Sequence, residues 1–76
     1  MTNTSLLQQA IKRSGLKMSA IMEVLGIKSY ATLRAKISGE REFTAREIMI
    51  LTELLKLDES EREAIFFAKV SELHSA

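Results

Sequence analysis

The sequence predicts an all-α fold of five short helices, read as a single domain over residues 1–76. Three observations predict it. Pro is absent and Gly occurs only three times in 76 residues, so few breaks interrupt the chain. Apolar residues recur at spacings of three and four, as on a helix face, and not at two. Ser, Thr or Asp stands just ahead of several of these periodic stretches, where a helix needs an acceptor for its first amides. A chain of this length holds one core and leaves little room for a deep catalytic pocket.

The first helix is expected from about Leu6 to Ser14. Asn3, Thr4 and Ser5 all have cap chemistry, and Ser5 with Gln8 matches a capping box. Leu6, Leu7, Ala10 and Ile11 form one apolar face. Gly15 suits the residue after the helix, because it takes positive φ at low cost. The second helix is expected over about Met18 to Leu25, with Ile21, Met22, Val24 and Leu25 on its apolar side. Gly26 turns the chain and Ile27 returns to the core. Ser29 is the expected cap of a third helix, roughly Tyr30 to Ile37, which Gly39 stops. Leu33 and Ile37 make a narrow apolar stripe. Tyr30, Ala31, Arg34 and Ser38 share the opposite side.

Thr44-Ala45-Arg46-Glu47 is a capping box, and Phe43 with Ile48 fits the hydrophobic staple over it. The fourth helix is expected from Ala45 to Leu55 or Lys56, with Ile48, Leu51, Leu54 and Leu55 inward. Asp58, followed three residues on by Glu61, caps a fifth helix from about Glu59 to Leu73. Ile65, Phe66, Lys69, Val70 and Leu73 approximate one face of it. Phe66 and Phe67 are adjacent, so one helix cannot bury both against one core, and Phe67 is expected outside.

The net charge of +1 hides an uneven distribution. Residues 1–41 hold seven bases against two acids, a balance of +5, and residues 42–76 hold four bases against eight acids, −4. No acid stands between Gly26 and Gly39. A polyanion is attracted to, and oriented by, the positive half. That half contains two helices joined by a tight turn at Leu25-Gly26-Ile27, the pattern of a helix-turn-helix whose second helix enters the DNA major groove.

The segments SGLKMSAIMEVLGI, KISGEREFT and AREIMILTELLKL, taken in order, resemble the Cro/C1-type helix-turn-helix family, the repressor-like domains of bacteria and phages. The ending DESEREAIFFA resembles the last helix of small prophage regulators from Gram-positive hosts. The resemblance runs from about Leu6 to Phe67 and implies a transcriptional regulator that binds two-fold DNA sites as a homodimer. Lys17 departs from the Thr or Ser usual at the second-helix cap. The interval from Gly26 to Gly39 is about one residue longer than is usual in the family.

DNA reading assigns roles by residue type. Arg34 is the first base-contact candidate, because its planar fork matches O6 and N7 of guanine. Ser29 and Tyr30 offer hydroxyls at the start of the helix, and Ala31 suits a thymine methyl. The phosphate candidates are Lys17, Lys28, Thr32, Lys36, Ser38 and Arg41. About four to six phosphate contacts imply a slope of log affinity on log salt of about −4 to −5 per domain. Plainer roles compete: Tyr30 packing over Ile27, or Arg34 pairing with a surface acid. Phe67, Val70 and Leu73 are the expected dimer interface.

No enzyme is expected. The sequence has no Cys, no phosphate-binding Gly loop and no nucleophile with a base at sensible spacing, and its single His, His74, stands alone in the tail. No metal, cofactor or small-molecule effector is expected either. Neither a membrane span nor a signal peptide is expected, which fits the cytoplasm. The rival reading is a protein-interaction module on the same fold, antirepressor or antitoxin-like, using a helix face or the acidic fifth helix.

Overall fold

The computed structural model describes residues 1–67. They form five α-helices and no strand: α1 Thr4–Ser14, α2 Met18–Leu25, α3 Tyr30–Ile37, α4 Ala45–Leu54 and α5 Glu59–Phe66. α1 packs against α3 and α5, and α2 packs against α3 and α4. No helix among the described residues is long and apolar enough to cross a membrane.

The ends of the helices follow local chemistry, with one correction at the start. α1 begins two residues before its expected position. Asn3, not Ser5, caps it, accepting from the Leu6 amide at 3.1 Å. Ser5 lies inside the helix, so the Ser5–Gln8 box does not form. The Thr4 hydroxyl donates to the Ile37 carbonyl at 2.8 Å, which ties the first turn of α1 to the end of α3. Gly26 closes α2 at φ 74°, and the Ile27 amide donates back to the Met22 carbonyl at 3.0 Å. That pair of features ends the helix and sends Ile27 inward within one residue. Ser29 caps α3, accepting from the Thr32 amide at 3.3 Å. α4 ends at Leu54, where Lys56 takes a left-handed φ of 54° and the Leu57 amide reaches the Thr52 carbonyl at 2.9 Å.

The core is drawn from every helix: Leu7 and Ala10, Ile21 and Leu25, Leu33 and Ile37, Leu51, Ile65 and Phe66. Leu55 and Leu57, after α4, and Phe43, from the connection before it, join them. The Phe43 and Phe66 rings meet edge to face at 5.8 Å and 85°, a favoured aromatic arrangement. Val24, expected inward, is exposed. The buried line of α2 is Ile21 and Leu25, four residues apart on one face. Phe67 is exposed, as its adjacency to Phe66 requires. α5 spans Glu59–Phe66, and the expected continuation to Leu73 lies outside the described residues. Val70 and Leu73 lie outside the described residues.

Candidate nucleic-acid interface

α3 presents two unlike sides. Inward, Leu33 and Ile37 are buried in the core. Outward, Tyr30, Ala31, Arg34 and Ser38 are all exposed. Spacings of three and four place these four on one face. Tyr30 is 52% exposed, so it does not serve as a closed lid over the core. Its ring instead carries the Arg34 guanidinium, 5.9 Å from the ring centroid. Such a contact restrains a long side chain while leaving its donors free. The pairing of Arg34 with a surface acid is not present among the described residues.

An open concavity of about 700 Å³ runs beside this face, bounded by Gln8 of α1, Met18 at the start of α2, and Tyr30, Arg34 and Ser38. Glu40 also borders it and is the one acid there among the described residues. Gln8, expected in the sequence only as the capping-box partner of Ser5, borders this face instead. It is an exposed amide on another helix, and only the packing of α1 on α3 brings it alongside.

Around the face, Lys17, Lys28 and Arg41 are exposed and make no ion pair among the described residues. Lys17 is the N-cap of α2 and makes no side-chain cap bond. The α2 N-terminus is thus left with a positive dipole end and a flexible ammonium beside it. Ser29 and Thr32 are engaged with each other as cap and first-turn amide. The Ser38 hydroxyl donates to the Ala35 carbonyl at 3.1 Å, so its proton must leave that bond to reach a phosphate.

Lys36 is the clear correction. It is not a surface phosphate contact. It is 9% exposed, and its ammonium donates to both carboxylate oxygens of Glu47 at 2.6 and 2.8 Å. Glu47 is itself 6% exposed and is the capping-box residue of α4: Oε1 accepts from the Thr44 amide at 2.9 Å. Burial alone would raise the Glu47 pKa. The hydrogen bonds from Lys36 and from the Thr44 amide, with the Lys36 charge, outweigh it and hold the carboxyl below its ordinary value of 4.5. With Lys36 neutralised in place, the cations near α3 without an ion pair among the described residues are Lys17, Lys28, Arg34 and Arg41. At about −0.9 per phosphate, the expected salt slope falls to roughly −3 to −4 per domain.

A second surface feature lies away from this face. α4 and α5 enclose an apolar groove of about 680 Å³ lined by Ala45, Ile48, Met49 and Phe67, with Glu53, Arg62 and Glu63 among its polar members. Met49 is 70% exposed and Phe67 is 39% exposed. Met49 stands beside Phe67, the one member of the expected Phe67, Val70 and Leu73 interface that falls among the described residues. Comparison with known proteins finds no matching family model, no matching curated protein and no matching solved structure.

Proposed function

We propose that the chain is a sequence-specific DNA-binding regulator of the repressor-like, helix-turn-helix kind, in which α2 and α3 form the motif and α3 enters the major groove. The observation that carries this reading is the outward face of α3. It offers Arg34, restrained by Tyr30 and without an acidic partner among the described residues, between exposed Ala31 and Ser38. A face selected only for helix stability favours Glu–Lys pairs, and this one has none. Arg34 then reads a guanine edge. Ser29, Tyr30 and Ala31 approach neighbouring bases. Lys17, Lys28 and Arg41, with Thr32 and Ser38, hold the phosphates on either side. An eight-residue helix is long enough for this: at about 1.5 Å per residue it spans about 12 Å, the width of the major groove.

The proposal includes a homodimer, because two-fold sites require one. Phe67 and Met49 favour the α4–α5 groove as the surface used. The same groove is the observation that favours the rival reading, a protein-interaction module. Selection from a random DNA pool separates the two. Enrichment of a palindromic motif, with half-sites about one helical turn apart, supports the regulator and the dimer together. A pool that stays random after repeated rounds sinks the regulator and leaves the interaction module. Arg34→Ala is expected to cost about 1–3 kcal/mol on the selected site and to relax choice at one base pair.

A further inference from the structure

α3 has little apolar contact to fix its rotation. Leu33 and Ile37 are four residues apart, so at about 100° per residue they differ by only about 40° around the axis. A helix held along one narrow line can roll about it, because apolar contact is non-directional. Lys36 lies on the other side of Leu33, about 60° away, and widens the buried arc to about 100°. There its ammonium meets both oxygens of Glu47 at 2.6 and 2.8 Å. Glu47 is fixed in turn, since its carboxylate holds the Thr44 amide and its own amide is held by the Thr44 hydroxyl at 3.1 Å. A charge-assisted, two-point bond to a capped helix end is directional where the Leu33–Ile37 contact is not. The Thr4 bond to the Ile37 carbonyl holds the end of the same helix.

Arg34 is two residues from Lys36 and therefore about 160° around the axis from it. A roll of about 20° moves a group about 6 Å from the axis by about 2 Å. That exceeds what a hydrogen bond to a base edge tolerates. The geometry points to Lys36 and Glu47 as the positioning pair of the α3 outward face. The pair sets the roll of the helix, and through it the aim of Arg34, without touching DNA. This inference rests on the DNA-binding reading above.

The test is the double variant Lys36→Met, Glu47→Gln. Met keeps the apolar stem, and Gln keeps an acceptor for the Thr44 amide. Replacing a buried ion pair by neutral groups of similar volume is often near neutral for stability, and far-UV circular dichroism checks the helix content. The variant is expected to lose discrimination between selected and random DNA by about tenfold, the worth of one base contact. Its salt slope stays at the wild-type value. In an Arg34→Ala background the same double substitution costs clearly less discrimination than in the wild type, because the main contact that it aims is gone. A salt slope reduced by about 0.9 marks Lys36 as a phosphate contact and overturns the inference. Unchanged discrimination overturns it as well, and so do additive losses.

A DNA-free measurement keeps this separate from the function itself. Amide hydrogen exchange across α3 is expected to quicken by about tenfold in the double variant, while α1 and α2 hold their rates. Wild-type protein that enriches no DNA defeats the function reading. Unchanged α3 exchange defeats the positioning pair, whatever DNA does. Should the double variant not fold, Lys36→Gln with Glu47→Gln carries the same tests with a smaller expected loss, because a neutral amide pair keeps one hydrogen bond and strands no buried charge.

Discussion

The starts of α4 and α5 use one device in two environments. Each is a capping box, Thr44 with Glu47 and Asp58 with Glu61. Each glutamate also takes a base from an earlier helix: Lys36 of α3 meets Glu47, and Arg13 of α1 meets Glu61 at 2.8 Å. In sequence the two look alike. In space the first pair is enclosed, with side chains 11% and 8% exposed, and the second faces solvent at 54% and 35%. Both glutamates have lowered pKa values. For Glu61 the leading cause is the hydrogen bond from Arg13. For Glu47, bonds to Lys36 and Thr44 overcome a larger opposing effect of burial. Burial makes the first pair costly to break, whereas solvent screens the second.

The largest expected effect is Lys36→Ala. It strands a buried carboxylate and is expected to cost about 3–5 kcal/mol in urea unfolding. A domain of this size has roughly 4–11 kcal/mol in total, so the variant sits near the edge of folding. A loss under about 1 kcal/mol, typical of an exposed pair, would erase the contrast.

Acid sharpens it next. Glu47 has a folded-state pKa below 4.5, so its contribution is complete above that value. As pH falls below 4.5 the unfolded chain takes up the proton first, and the contribution is gone once pH passes below the folded-state value. The thermal midpoint of the wild type should therefore fall more steeply below about pH 4.5 than that of the Lys36→Met, Glu47→Gln variant. Parallel curves for the two proteins would remove Glu47 as the source.

A smaller loss is expected from Thr44→Ala, about 1 kcal/mol, because it removes the hydroxyl cap but leaves Lys36 on Glu47. Denaturant titration measures it, and a loss as large as that of Lys36→Ala would mean that the cap and the ion pair act as one unit. The smallest effect is Arg13→Ala, whose urea midpoint should stay near wild type, with any difference vanishing at about 1 M salt. A large, salt-insensitive loss would show that exposure is a poor guide to these pairs.

The contrast also shows what was legible in the sequence. Both capping boxes could be read, because a cap needs only residues three apart. The α3 face could be read for a similar reason: Tyr30 and Arg34 are four apart, and helix geometry alone brings them together. The Arg34 contact over the Tyr30 ring realises that spacing. Lys36 was misread for the opposite reason. Its partner is eleven residues away on another helix, so the sequence does not show what meets the ammonium beside Leu33 and Ile37. Gln8 beside the α3 face was invisible on the same grounds.

By itself, then, the sequence determined the all-α class, the positions of α2 and α3, the caps at Ser29, Thr44 and Asp58, and the exposure of Phe67. These depend on periodicity, on hydrogen bonds within a turn, and on the fact that adjacent side chains point apart. Tertiary structure decided which charges remain free. A lysine is a surface cation or a buried tie according to what packs over it, and that depends on how α3 lies against α4. Lys36, expected as a phosphate contact, is thereby a buried partner of Glu47.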